Sequence, residues 1–366
     1  MSMIWAGPSP GRPDDQASES KSMIQRHWKA FGLSLAGVLG FTTAILVLAG
    51  APPLEAYYHL LKGSLGSLNK TGAVLTAWIP LTLCAVGLLY TFRIGLWNIG
   101  VEGQMIMGAI FATAVLRWGV ESRVPLLYLA AAFPAAALGG GLWAIGAGIL
   151  KTKGEVHEIF AGLGLNFVAQ GILLYLIFGP WKRPGVASMS GTEVFPTDLR
   201  LSFLPGLRFS PAGLILAVIA LLLTAWMFRH SRFGLVLKAA GSNPIATLLF
   251  GERPNRYMLL AMLLAGGFAG IAGCVQVSGV YHRLIPSISS NYGYLALLVV
   301  MLSNYNVFVV PVVAFFFTCL NVGSIQLPMM LRIDSSLAGV IQGAWVLVAL
   351  AAIAWHRRKV RPEKEH

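Results

Sequence analysis

The stretch with the most chemistry in it is FRIGLWNIGVEGQMIMGA, residues 92–109, lying between two long apolar runs. Arg93, Asn98, Glu102 and Gln104 sit there beside Gly95, Gly100 and Gly103. Amides and a carboxylate can hold a polar solute by hydrogen bonds. At membrane depth such groups are costly and usually face a bundle interior or a water-filled cavity. Glycines let the backbone leave the helix, and irregular backbone at depth is tolerated only inside protein or along a cavity. Two readings fit. In one, Asn98, Glu102 and Gln104 line a translocation route, with a half-helix end aimed at the solute. In the other, the stretch is a loop at a helix end and Arg93 pairs with Glu102. Spacing alone leaves both open.

Three further groups carry polar side chains. Asn166 and Gln170 are four apart and share a helix face that should look into the protein, toward substrate or a neighbouring helix. Gln276 precedes His282, Arg283, Ser287, Ser289, Ser290 and Asn291, which read as an outer vestibule, a short re-entrant segment or a plain outer loop. Glu155, His157 and Glu158 suggest metal ligation or acid/base work, but their spacing matches no recognised site, and a solvated helix start explains them. No metal site is expected.

The elements that position these groups must be membrane helices. The 366 residues are 56% hydrophobic and 11% charged, where a soluble domain carries about 25% charged residues. Apolar runs of membrane-spanning length recur along the chain. Alternating barrel segments are absent, so the fold class is an all-α integral membrane protein. Ten spans are expected, near 30–51, 72–92, 103–118, 125–150, 159–179, 211–228, 257–280, 290–303, 307–327 and 337–355. The eighth is strongly apolar only in YLALLVVML and reads equally as a half-helix. Residues 1–29, Pro/Ser-rich at first, read as a disordered cytoplasmic arm. Residues 30–355 form the membrane domain and 356–366 a basic tail. The first span is too long for a signal-peptide core, although LAGA before Pro52 mimics a cleavage site.

Most of the 27 Lys and Arg residues fall on one side of this topology: the arm, Arg93, Lys151 and Lys153, segment 229–256 and the tail. That places both termini in the cytoplasm. The net charge of +13 is explained by helix anchoring, and nucleic acid is not an expected partner. Cys84, Cys274 and Cys319 lie in apolar runs without a CxxC pair, which excludes a disulfide framework or a structural zinc site. Segment 180–210 falls outside. Segment 229–256 falls inside, and its sequence RFGLVLKAAGSNPIATLLFG reads as a short amphipathic stretch. Leu235, Leu237, Ala240, Ile245 and Leu249 could form an apolar side. Gly241-Ser242-Asn243-Pro244 suggests a turn, then a helix with Asn243 as N-cap and Pro244 in first position. It is either a docking knob for a soluble partner or an ordinary basic loop. There is no Walker A sequence, HExxH or strand–Gly–helix phosphate cradle, and no short-period repeat.

Four stretches together resemble a known family. GLWNIGVEGQMIMGA is similar to a signature of bacterial ABC importer permeases of the nucleoside/simple-sugar class, within the branched-chain amino acid and ribose permease superfamily, which work with basic-membrane-protein-type lipoprotein receptors. HEIFAGLGLNFVAQ matches at Glu158 and Asn166. FGPWKRP, 178–184, resembles the outer segment of the larger of two permease types. GLVLKAAGSNPIATLLFG resembles the cytoplasmic coupling segment, matching at Gly241, Asn243, Ala246 and Gly251. The likeness covers about residues 75–325. His157 stands where the family usually has Asn, Ala161-Gly162 where it has a Thr pair, and Lys238 where Arg is common.

The resemblance implies a broken helix near residues 93–104, in a type II-importer-like permease of the bacterial inner membrane. Its substrate pathway would involve Asn98, Glu102, Gln104, Asn166, Gln170 and Gln276. Lys238, Gly241, Ser242, Asn243, Pro244, Ala246 and Gly251 would couple it to a separate ATPase that binds ATP and magnesium, while this chain binds no cofactor and is no enzyme. The other implied partners are a second permease, a periplasmic or lipoprotein substrate-binding protein, membrane lipid and a small solute: a nucleoside, nucleobase or simple sugar. Two competing classes are an ion-coupled secondary transporter, which needs a mid-membrane carboxylate such as Glu102, and a membrane enzyme, which needs an interfacial acidic/His cluster.

Overall fold

A computed structural model describes residues 52–183, 185, 190–204, 206–325 and 327–331, with isolated positions between 37 and 50 and at 340, 343 and 351. The chain divides into two units, 1–57 with 327–366, and 58–326. In the first, the Tyr57 hydroxyl lies 3.0 Å from Thr43 Oγ1 and donates to the Leu39 carbonyl. The second unit holds nearly all described structure. The arm 1–29, the basic tail 356–366, half of the first expected span and most of the tenth lie outside the described residues.

Among the described residues the regular structure is helical. The helices are α1 (Pro53–Leu65), α2 (Leu68–Arg93), α3 (Val101–Gly119), α4 (Pro125–Thr152), α5 (Glu158–Phe178) and α6 (Pro211–His230). They continue with α7 (Arg232–Ser242), α8 (Pro244–Leu249), α9 (Pro254–Val275), α10 (Tyr292–Leu302), α11 (Val310–Ser324) and α12 (Leu327–Leu331). Among the described residues five helices are long and apolar enough to cross a membrane: α2, α4, α5, α6 and α9 with its extension to Tyr281. Helix α1 falls in a segment expected to be only a connection.

Helices α3, α4 and α9 meet at small residues. A Cβ on Gly140 would meet the Gly270 Cα at 2.9 Å, and one on Gly273 would meet the Ala109 N at 2.8 Å. Lipid offers no hydrophobic drive between helices, so close backbone approach is what holds such contacts together. Helix α2 is enclosed along most of its length, whereas α5 and α6 show large apolar side chains such as Phe160, Phe167, Leu222 and Trp226 on their outer faces. Segment 190–204 is folded onto the bundle. Phe195, Leu199 and Leu201 are buried against α3, α4 and the end of α9.

The eighth span differs from the simplest expectation. Helix α10 has 11 residues, a length of roughly 16 Å at 1.5 Å per residue, about half of a bilayer core. The stretch before it, including Ser289, Ser290 and Asn291, is irregular. It is a half-helix.

Candidate functional site

The expected break takes the form of a seven-residue connection between two helices, not an interruption inside one. Helix α2 ends because Gly95 adopts φ +81°. The Gly95 N–H donates to the Phe92 carbonyl at 3.0 Å and the Leu96 N–H to the Thr91 carbonyl at 2.8 Å. This double closure is a Schellman termination, and Gly is the residue that adopts it without strain. Glu102 and Gln104 therefore belong to the first turn of α3.

The polar side chains of the connection hold one another. Asn98 Nδ2 donates to Gln104 Oε1 at 3.0 Å, and Gln104 Nε2 donates to Asn98 Oδ1 at 2.8 Å. Both residues are 1% exposed. Asn166 on α5 clamps the same region. Its Oδ1 accepts from the Gly103 N–H at 2.8 Å, and its Nδ2 donates to the Ile99 carbonyl at 3.0 Å and the Tyr294 hydroxyl at 3.2 Å. This approach requires glycine. A Cβ on Gly162 would meet the Gly100 N at 2.6 Å, and one on Gly103 the Asn166 Oδ1 at 2.8 Å. Glycine at residue 162 thus has a steric reason.

Glu102 does not pair with Arg93. Its carboxylate accepts from the Gly293 N–H at 2.8 Å, with the Ser289 hydroxyl and the Asn291 and Tyr294 N–H groups around it. It closes the N-terminus of α10, where unsatisfied N–H groups and the helix dipole both favour an anion. The Arg93 guanidinium instead lies 4.3 Å from the centre of the Phe228 ring. Gln170 Nε2 donates to the Pro286 carbonyl at 3.0 Å, fixing the loop before α10 to α5. Gln276 is buried at the start of a π-turn, Gln276–Tyr281, that ends α9. Thus Asn98, Glu102, Gln104 and Asn166 come together around the connection and α10, Gln170 joins them to the loop before α10, and Gln276 stands in the π-turn after α9.

Sequence reasoning missed the role of segment 190–201. The Thr192 N–H donates to the Leu284 carbonyl at 2.9 Å and the Leu284 N–H to Thr192 Oγ1 at 3.0 Å. The N–H groups of Phe195 and Leu201 donate to the carbonyls of His282 and Ser278. Only the apolar spacing of Phe195, Leu199 and Leu201 hinted at this cover. His282 sits beneath it at φ +55°, its Nδ1 3.0 Å from the Ser278 carbonyl oxygen. Burial holds its imidazole below the ordinary pKa, the Ser278 contact works the other way, and the nearby Arg200 charge adds to the lowering.

Glu158 serves the start of α5. It pairs with Lys151 at 2.8 Å, while His157 Nδ1 caps the helix by accepting from the Ile159 N–H. Among the described residues no group of His, Cys, Asp or Glu could hold a metal ion.

The segment 229–256 forms a helix pair. Asn243 Oδ1 accepts from the Ala246 N–H at 3.0 Å and Pro244 opens α8. Gly241 and Ser242 belong to the last turn of α7, not to a turn between helices. Gly241 packs against the end of α2, where a Cβ would collide with the Arg93 carbonyl oxygen. The apolar residues do not form one side. Leu237 and Ala240 face inward, while Leu235, Ile245, Leu248, Leu249 and Phe250 are exposed. The pair is anchored by one face and displays the other. Lys238 is exposed, and Gly251, at φ +85°, turns the chain away after α8.

A family described as "Branched-chain amino acid transport system / permease component" matches residues 71–350. The chain belongs to this family. It is 29% identical to a glucose ABC transporter permease of Haloferax volcanii, over 91% of this chain and 90% of that protein. Two guanosine ABC transporter permeases of Bacillus subtilis are also similar. One is 26% identical over 87% of this chain and 92% of its own length, the other 28% identical over 62% and 72%. The chain is a multi-pass membrane permease of the ABC transporter class.

Proposed function

We propose that this permease is one membrane subunit of an ATP-driven importer in the bacterial inner membrane, moving a small polar solute by alternating access. The observation that carries the reading is the α7–α8 pair. An ordinary basic loop would have no reason to display Ile245, Leu248, Leu249 and Phe250 together on a pair of helices seated against α2 through Gly241. An exposed apolar cluster of that kind marks a protein contact, and a separate ATPase that closes on ATP and magnesium is the partner. Because Gly241 rests on the end of α2, movement of the pair reaches the connection with Asn98 and Gln104 directly. The Lys/Arg bias supports a cytoplasmic location for both termini.

The solute class is a nucleoside, nucleobase or simple sugar, in line with the relatives' glucose and guanosine transport. The groups offered to it are Asn98, Gln104, Asn166, Gln170 and Gln276. They are paired or buried in the conformation described, so the route opens when α3, α5 and α10 separate. The match to two distinct guanosine permeases from one organism supports a heterodimer with a second permease. An outer substrate-binding protein would deliver the solute onto the cover formed by 190–201. The chain itself carries no cofactor. An ion-coupled carrier would need a carboxylate free to exchange a cation, and Glu102 is already committed to α10.

Mass spectrometry of the chain purified from its own membrane in mild detergent is the test. A co-purifying ATPase, whose hydrolysis is stimulated by a nucleoside or sugar, supports the reading. A chain that purifies alone, under conditions that preserve a known importer complex, overturns it.

A further inference from the structure

At the end of the bundle where α2 and α6 terminate lies a cleft of about 380 Å³ that none of these roles uses. Its walls include Arg93, Phe228, Arg229, Tyr305, Asn306 and Phe308. The two guanidinium groups are arranged alike. Arg93 lies over the Phe228 ring at 4.3 Å and Arg229 over the Phe308 ring at 4.7 Å. Stacking occupies the flat faces of the guanidiniums and leaves their N–H edges for other partners. Among the described residues the ion pairs are Lys151–Glu158, His157–Glu158 and Arg232–Glu252, so no carboxylate pairs with Arg93 or Arg229. Arg93 Nε is buried and makes no hydrogen bond.

An arginine at a helix C-terminus is favoured by the dipole, but that does not explain a buried guanidinium nitrogen left without an acceptor, which is costly. The third wall is preset. Asn304 and Tyr305 hold φ +48° and +61° in succession, and Asn306 Oδ1 accepts from the Phe308 N–H at 3.0 Å. The Tyr305 ring rests 5.3 Å from that of Phe92.

We propose that this cleft binds a phosphate group. Two guanidinium forks suit the tetrahedral oxygens of phosphate. The apolar walls, and a volume well beyond that of one inorganic ion, fit the diester of an anionic phospholipid in the cytoplasmic leaflet. A basic pocket between transmembrane helices on that side is where such headgroups bind. The inference rests on the membrane orientation proposed above and not on which solute is carried.

The test uses the full chain with whatever partners co-purify, reconstituted in phosphatidylcholine containing phosphatidylglycerol, with bound lipid read by native mass spectrometry. Wild type retains phosphatidylglycerol over phosphatidylcholine. Retention falls by about fivefold for each arginine removed in R93Q, R229Q and the double variant. R93K/R229K keeps the charges, loses the forks, and falls between. R232Q, which alters an exposed arginine outside the cleft, keeps wild-type retention. Monodispersity and thermal unfolding of each variant show that the fold persists, and the lysine variant carries the test if the glutamine variants do not fold. A second arm uses phosphatidylcholine alone with inorganic phosphate and reads ³¹P line broadening. Broadening lost in the double variant, without selective lipid retention, supports a phosphate site served by the free anion. Equal lipid retention and no phosphate binding in wild type and double variant overturn the proposal. So does a double variant that sheds the ATPase while keeping its lipid, because the cleft is then a protein contact. ATPase co-purification is scored in the same samples, so failure of the importer reading is seen separately.

Discussion

The carboxylate of Glu102 accepts a hydrogen bond from the Gly293 N–H at 2.8 Å, so the first turn of α3 closes the N-terminus of α10. The half-helix has no side-chain cap from its own Asn291. Its first N–H groups depend on a residue almost two hundred positions earlier. In this conformation the bond ties α10 and the connection 94–100 into one body, with Tyr294 and Asn166 as a second tie.

Removing the carboxylate should loosen that body. In Glu102→Ala the N–H groups of Asn291, Gly293 and Tyr294 lose their acceptor, at a cost of about 2–3 kcal/mol. Glu102→Gln keeps one acceptor oxygen and should lose about 1 kcal/mol. Thermal inactivation in detergent reads both. Equal melting of the two variants would show that the carboxylate is not the cap.

The Asn98–Gln104 pair predicts coupling. Asn98→Ala and Gln104→Ala each strand a buried amide, so each single change should cost about 1–3 kcal/mol. The double change removes both partners and should cost less than the sum of the singles, by at least about 0.5 kcal/mol. The pair also stands at the proposed route, so solute-stimulated ATP hydrolysis should fall in all three variants while ATPase association persists. Additive stabilities would mean that the two amides act independently.

The helical membrane class, the five helices of membrane-spanning length, and the capped start at Asn243-Pro244 were legible in the sequence because each rests on a local rule: apolar length, a glycine stop, an Asx cap with proline behind it. The connection at 94–100 was legible as a polar, glycine-rich break. Its partners were not. Whether Glu102 meets Arg93 or Gly293 depends on how α3 and α10 cross, and no spacing within one segment encodes that. Gly241 shows the same limit. Its place beside Ser242 and Asn243 suggested a turn, yet it is helical and kept small by the Arg93 carbonyl across the junction. The cover 190–201 was missed because its hydrogen bonds run to 278–284 and lack any repeating pattern.

Two glycines on α5 separate packing from propensity. Gly162→Ala places a Cβ 2.6 Å from the Gly100 N, whereas a Cβ on Gly164 meets nothing within 4 Å. Gly162→Ala should therefore destabilise the chain by about 1–3 kcal/mol through overpacking. Gly164→Ala should be neutral or stabilise by up to about 1 kcal/mol through helix propensity. Thermal melts of the two variants side by side decide it, and a tolerated Gly162→Thr would remove the steric account of that position.

The coupling pair offers a similar contrast. Leu249→Ser and Phe250→Ser change exposed residues, so stability should shift by less than about 0.5 kcal/mol while ATPase co-purification falls by about tenfold, the range of an interface anchor. Gly241→Ala acts from beneath, by forcing α7 off the end of α2. It should lower both stability and ATP-driven transport. Undiminished co-purification in the Leu249→Ser/Phe250→Ser double variant would remove the docking surface.

The cover formed by 190–201 should weaken in acid. His282 lies between Ser278 and Phe203 with Arg200 nearby. Its folded pKa lies below the ordinary His value of 6.5, chiefly through burial. Above 6.5 the imidazole is neutral in both folded and unfolded chains and contributes no pH dependence. As pH falls through 6.5 the unfolded chain takes up the proton first, so stability declines until the folded pKa is reached and then levels off. His282→Asn removes the titration and suits φ +55°, because Asn tolerates the left-handed region. Proteolysis of segment 190–201, followed from pH 7.5 to 5, should therefore accelerate in wild type and stay flatter in His282→Asn. Parallel profiles would assign the acid response to another group.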